Sequence, residues 1–149
     1  MKLELTTMHF IMLNNKIYRN TQIYLDKALK KYGLGSGAYP YLFILEKNEG
    51  ISQNKISREI GHDKAMSART ITLLIELGYV YKEEDERDSR AYRLYLTAKA
   101  REIIPEIHKE IRILINLITE SLSEEEKITT IGAMSKIFEN TQRFKECEK

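Results

Sequence analysis

The chain has 149 residues, 42% of them hydrophobic, which is enough to bury one core of ordinary size. Charged residues make up 31%, yet 24 Lys and Arg stand against 22 Asp and Glu, so a formal net charge of +2 does not by itself announce a nucleic-acid partner and any basic face must come from local clustering. The single cysteine, Cys147, excludes an internal disulfide framework and suits a reducing compartment, and no secretory segment or bilayer-length apolar run is present, so a cytoplasmic setting without membrane contact is expected.

From about Met8 to Lys31 apolar residues recur at broadly helical intervals, and Gly33 stops the helix. Gly33-Leu34-Gly35-Ser36-Gly37 is the clearest breaker cluster, followed by a short helix to about Lys47 with Pro40 in its first turn, where proline is tolerated. Ser52 can cap a helix to about Ile60. Gly61-His62 supplies a turn, and a second helix runs from Asp63 to Leu77 before Gly78. Tyr79–Glu83 and Tyr92–Leu96 are rich in aromatic and branched residues and flank a charged loop, so they read as a hairpin with Leu94 and Leu96 facing inward. Thr97 can cap a long helix from Ala98 to about Ser121, roughly 36 Å at 1.5 Å per residue. It carries an apolar stripe, Ile103, Ile104, Ile107, Ile111, Leu114, Ile115, Ile118 and Leu122, and Pro105 predicts a bend or a weakened hydrogen bond. Ser123-Glu124-Glu125-Glu126 has capping-box spacing and opens a last helix.

Two short helices, a tight turn and a two-stranded ribbon tipped by Asp85-Glu86-Arg87-Asp88-Ser89-Arg90 have the layout of a winged helix-turn-helix. One helix is small enough for the major groove of DNA, and a basic loop beside it is thin enough for the minor groove. The expected class is therefore mainly α with a small β-hairpin wing, in the order α-α-α-α-β-β-α-α: residues 34–97 as the winged helix-turn-helix, 1–33 and 98–149 as a helical dimerisation region. The terminal helices have more apolar surface than a domain of this size can bury within itself. A second copy is the simplest cover, and a two-fold dimer would read two half-sites about one DNA turn apart; the alternative is a monomeric bundle whose terminal helices cover one another. Lys64, Ala65, Met66, Ser67, Ala68, Arg69 and Thr70, in the first two turns of the second helix, are the candidates to approach base edges, and Arg69 is the one bidentate donor among them. Arg69 could instead form an intrahelical ion pair. Lys64 and Ser52 near helix N-termini suit phosphates, with Lys55 and Arg58 as further candidates.

The whole order resembles the multiple antibiotic resistance regulator (MarR) family of transcriptional regulators. Asp85-x-Arg87-Asp88-x-Arg90 matches that family's D-x-R-D-x-R wing in full, and Ile56-Ser57-Arg58-Glu59-Ile60-Gly61 is similar to its L-A-x-x-L-G. Asp63-Lys64, Arg69 and Leu96-Thr97 fall in matching places. The resemblance implies a DNA-binding repressor, with Arg90 entering the minor groove, Asp88 orienting an arginine through a salt bridge, and Arg87 on the backbone or in the groove. Ala68 departs from the pattern, standing where a serine or threonine is common, and Leu73, Ile75 and Leu77 stand where polar or basic residues are frequent. Either the second half of that helix packs on another element or groove contacts are confined to its first half.

The resemblance also implies release of DNA when a small, often aromatic and anionic, effector binds; Arg19 could meet its carboxylate or phenolate, and Tyr39 and Tyr41 could stack on its ring. His9, His62 and His108 are scattered without metal-ligand spacing, and no cofactor is called for. No phosphate-binding glycine loop or nucleophile in a recognised setting speaks for an enzyme. A winged-helix module that binds a protein instead of DNA is the rival reading.

Overall fold

The computed structural model describes residues 7–88 and 90–146; Cys147 lies outside the described residues. The elements are α1 (Thr7–Ala28), a short 3-10 turn (Lys30–Tyr32), α2 (Tyr39–Lys47), α3 (Gln53–Ile60), α4 (Lys64–Glu76), β1 (Val80–Glu84), β2 (Tyr92–Leu96), α5 (Ala98–Ile118) and α6 (Glu124–Glu146). The expected class and element order are observed.

Local chemistry sets most boundaries. Gly33 closes the 3-10 turn with φ +73°, a left-handed backbone that favours glycine, and a Cβ there would lie 2.9 Å from Leu77 Cδ2, whose side chain packs over the turn. Ser52 Oγ accepts from the Lys55 amide and caps α3; Gly61, at φ +80°, ends it with its amide on the Ser57 carbonyl. Thr97 works at two elements, its hydroxyl donating to the Gly78 carbonyl at 2.6 Å and accepting from the Ala100 amide at 3.2 Å. At α6, the Glu126 amide donates to Ser123 Oγ and the Ser123 amide to Glu126 Oε1, the expected capping box. Helix α5 continues through Pro105 and ends at Ile118, three residues before the expected end.

The chain packs as two compact units, Met1–Arg112 and Ile113–Lys149. In the first, β1 and β2 pair antiparallel with Val80 opposite Leu96 and Glu84 opposite Tyr92. Alternation then puts Val80, Leu94 and Leu96 on the inner face, all buried as expected for the two leucines. They close a core with Leu29, Leu42, Leu45, Ile56, Ile71, Leu74, Ala100, Ile104 and Ile107. The hairpin has a third, very short partner: the Gly50 amide donates to the Leu94 carbonyl, the Leu94 amide to the Ile51 carbonyl, and Ser52 bridges Arg93. This pins the base of the ribbon beside the start of α3. The second unit holds the end of α5 and all of α6, on which Ile128, Ile131, Met134 and Phe138 are exposed.

Candidate nucleic-acid interface

Helix α4 starts where Asp63 Oδ1 accepts the Met66 amide at 2.7 Å. Its periodicity then sorts the side chains. Ser67, Ile71 and Leu74 form the buried stripe, and Lys64, Ala65, Met66, Arg69, Thr72, Leu73 and Glu76 are exposed; Ala68 and Thr70 are half-buried, the Thr70 hydroxyl donating to the Met66 carbonyl. Ala65, Arg69, Thr72 and Glu76 follow one another at intervals of four, three and four residues, a single outward line. The apolar second half of α4 divides in the same way: Leu74 is buried and Leu77 packs on Gly33, whereas Leu73 stays exposed.

Ser67 was expected among the base-facing residues, and the structure places it inside, 1% exposed. Two residues before Arg69 on a 3.6-residue helix is close to the opposite side, so the two cannot face one groove together. Tyr41, expected beside a ligand, is likewise fully buried. Its hydroxyl donates to Ser67 Oγ at 3.1 Å and lies 3.0 Å from His62 Nδ1. A phenol has one hydrogen, so with that hydrogen on Ser67 the imidazole N–H must donate to the phenolic oxygen. The Ser57 hydroxyl in turn donates to the His62 carbonyl at 3.1 Å. Tyr41 therefore cannot stack on an effector; its ring is part of the core.

The wing's internal bonds also differ from the expected set. Its ion pair is Arg93 Nε with Asp85 Oδ2 at 3.0 Å, and the same guanidinium donates to the Gly50 carbonyl. Asp85 also accepts the Arg87 amide, and that backbone bond, with the Arg93 cation nearby, holds its carboxyl below the ordinary range. Asp88, expected to orient an arginine side chain, accepts the Arg90 amide at 3.0 Å. Two residues apart, a short aspartate reaches the backbone more readily than a guanidinium, which is an Asx turn. Arg87, Asp88 and Arg90 all have exposed side chains.

Two grooves join these elements. One, about 290 Å³, is lined by Ser52, Gln53, Asn54, Lys82, Arg90, Ala91 and Tyr92, with the Lys82 ammonium 4.4 Å from the centre of the Tyr92 ring. The other, about 360 Å³, is lined by Asn54, Ser57, Arg58, His62, Asp63 and Lys64. Asn54 belongs to both, so the start of α4, the exposed side of α3 and the wing form one continuous surface. Lys64, Arg58, Arg90 and Lys82 stand along it, and Asp63 is its carboxylate. Lys55 is exposed on α3. The acidic residues Glu83, Glu84, Asp85 and Glu86 line a different groove, with Arg87, Arg93 and Tyr95. Four acidic side chains of the wing are thus set apart from the basic groove, while Glu76 shares the outward line of Arg69. Sequence reasoning missed Thr72, Gln53, Asn54, Lys82 and Tyr92. Thr72 was findable as Arg69 plus one turn; the other four needed the fold, Lys82 because alternation alone gives it the inner face of Val80.

Of the remaining candidates, Arg19 is exposed on α1 and Tyr39 is half-buried at the start of α2, edge-on to Phe43 at 5.3 Å between ring centres. Burial, and then the neighbouring Tyr18 phenol, push the Tyr39 hydroxyl above its ordinary pKa. Phe43 stacks on His108 of α5 at 4.2 Å, and His108 Nε2 meets Glu46 Oε2 at 2.9 Å. Among the described residues no group of three or more His, Cys, Asp or Glu could hold a metal ion, and no helix is long and apolar enough to cross a membrane.

Comparison with known proteins shows the family and the fold. The MarR family model matches residues 32–91. The HTH-type transcriptional regulator BilQ of Clostridioides difficile (strain CD3) is 35% identical over 124 residues, 83% of this chain and 82% of that protein. The crystal structure of a MarR transcriptional regulator from Methanosarcina mazei Go1 superposes with TM-score 0.85 at 32% identity, covering 91% of this chain and 99% of that one. A MarR protein from Peptoclostridium difficile DA00132 gives TM-score 0.88 at 26% identity over 96% and 94% of the two chains.

Proposed function

Because the chain belongs to the MarR family of DNA-binding transcriptional regulators, we propose that it acts as a homodimeric, ligand-responsive repressor on a pseudo-palindromic operator. The observation that carries the reading is the continuous basic surface from Lys64 across Arg58 and Asn54 to Arg90 and Lys82. Residues 34–97 form the reading head, and 1–33 with 98–149 the dimerisation region. Arg69 and its outward neighbours Ala65, Met66 and Thr72 face base edges, Ala68 and Thr70 flank them, and Lys64, Ser52, Lys55, Arg58 and Lys82 hold phosphates. Arg90 enters the minor groove, where a narrow groove's negative potential favours arginine, with Arg87 beside it and Asp88 fixing the turn that carries Arg90.

Exposed apolar residues on α1, Met8, Ile11 and Ile17, and on α6 support the homodimer. A small aromatic anion would bind with its charge on Arg19 and its ring on Tyr39. It would act by preferring a dimer whose half-site spacing does not fit DNA.

Gel-shift titration of the full chain on the promoter fragment upstream of its own gene, at several salt concentrations, tests the reading. Arg90→Ala should weaken binding to all sequences and flatten the salt slope by about one counterion, whereas Arg69→Ala should relax discrimination at one base pair by about 1–3 kcal/mol. Unchanged affinity in both variants refutes the surface.

A further inference from the structure

We propose that Tyr41 is a positioning residue for sequence discrimination, its hydroxyl fixing the rotational setting of α4 so that Arg69 meets its base pair; the inference rests on the DNA reading above. The apolar stripe of α4 is narrow. Within Lys64–Glu76 only Ile71 and Leu74 are buried apolar residues, both past the first turn and a half, and the place nearest the N-terminus on the same stripe is taken by a hydroxyl, Ser67. The burial of apolar surface is itself non-directional, and two apolar side chains on the stripe leave the roll of the N-terminal turns less defined than a longer stripe would. A hydrogen bond in a dry core is directional, and breaking it strands polar groups away from water.

The bonds run through the motif in one chain. Ser57 of α3 holds the turn at the His62 carbonyl, the His62 ring meets the Tyr41 hydroxyl of α2, and that hydroxyl donates to Ser67 of α4. Tyr41, Ser57 and Ser67 are all buried, and among the described residues no buried side-chain nitrogen or oxygen lacks a partner. Tyr41 is thus the point where both helices of the reading motif and the turn between them are referred to α2. The far end of α4 is held separately, by the Lys99 ammonium on the Leu77 carbonyl at 2.7 Å and by Thr97 on Gly78. Removing the phenolic hydroxyl loosens the end that carries Ala65, Met66 and Arg69, which keeps its Asp63 cap, and leaves the other end anchored. Small rotations there move a guanidinium tip by more than a hydrogen bond tolerates, while phosphate contacts of flexible lysines adapt.

The test uses the full chain and its Tyr41→Phe, Ser67→Ala and doubly substituted forms. Each is titrated against the shortest duplex from the promoter fragment that the wild-type chain still binds, against that duplex with single base-pair changes, and against an unrelated duplex of equal length. Discrimination at the Arg69 base pair should fall about fivefold in Ser67→Ala, which removes the one buried bond between α2 and α4, and at least as far in Tyr41→Phe, which also removes the bond with His62. The double variant should lose no more than Tyr41→Phe alone. Affinity for the unrelated duplex and the salt slope should stay as in wild type. Amide exchange in residues 64–71 should accelerate while α5 exchanges as before. Wild-type discrimination in a folded Tyr41→Phe chain, or an equal loss on the unrelated duplex, overturns the proposal. If Tyr41→Phe does not fold, Ser67→Ala carries the same test, since it leaves the phenol bonded to His62. A wild-type chain that shows no preference for any sequence overturns the DNA reading itself; unaltered α4 exchange overturns the positioning role without reference to DNA.

Discussion

The Glu49 carboxylate serves the wing and α5 together: Arg101 pairs with it at 2.6 Å, and it accepts the Leu96 amide at 3.0 Å. The Arg101 hydrogen bond first, and the Leu96 amide second, hold its pKa below the ordinary 4.5. A carboxyl depressed on folding stabilises the native state above its unfolded pKa, and that contribution is lost as pH falls through its folded value. Unfolding midpoints should therefore drop as pH falls below the ordinary carboxylate range, and Glu49→Gln should shallow that acid limb while lowering the midpoint at neutral pH. Chemical denaturation across the acid range reads both; an unchanged acid limb in the variant would remove Glu49 from the balance. Single residues were also where the sequence was least legible. That Arg69 and Arg90 are solvent-facing followed from type and local pattern. That Tyr41 and Ser67 bond each other could not, because a pair 26 residues apart leaves no periodic trace. The same holds for Asp85 with Arg93: the wing motif names its aspartates, but cross-strand register selects the partner.

Elements were read more faithfully, because their ends are set by chemistry within four residues. Ser52, Thr97 and Ser123 cap the helices expected of them, Asp63 caps α4 where it was read as the first residue of that helix, and Gly33 and Gly61 terminate by adopting the left-handed region. The strand pairing of Gly50 to Ser52 went unseen since one bridge and two hydrogen bonds are too short for an alternating pattern. Asp63 adds a conflict between folding and binding. Its carboxylate satisfies the Met66 amide and favours the α4 dipole, yet it lies in the basic groove that would receive phosphate. Asp63→Ala should cost about 1 kcal/mol of stability by urea unfolding. Asp63→Asn keeps a side-chain acceptor without the charge, so stability should change little while affinity for any duplex rises and the salt slope steepens. Equal weakening of DNA binding by both variants would show that the carboxylate contacts a base or the protein rather than merely opposing phosphate.

At the scale of the whole molecule, the second unit exposes an apolar row that its own helices leave uncovered: Ile128 (74%), Ile131 (66%), Met134 (58%) and Phe138 (62%) repeat at three- and four-residue intervals along α6. Isolated apolar residues on a surface are ordinary, but a continuous row on a 23-residue helix is the pattern of a buried seam. If a second copy covers it, folding and association are linked, and the thermal midpoint of the wild-type chain must rise with protein concentration. Ile131→Lys with Phe138→Lys places two charges in that seam and leaves every residue of the first unit, which holds the reading head, as it is. Sedimentation equilibrium should then report monomers, and the concentration dependence of the midpoint should vanish. Operator affinity should fall at least about tenfold, because the second half-site no longer benefits from being tethered to the first. Binding of each subunit to an unrelated duplex should persist, since the basic surface from Lys64 to Lys82 belongs to one chain. A wild-type chain that sediments as a monomer at micromolar concentration would assign the row to some other partner and leave a single reading head to explain any operator preference.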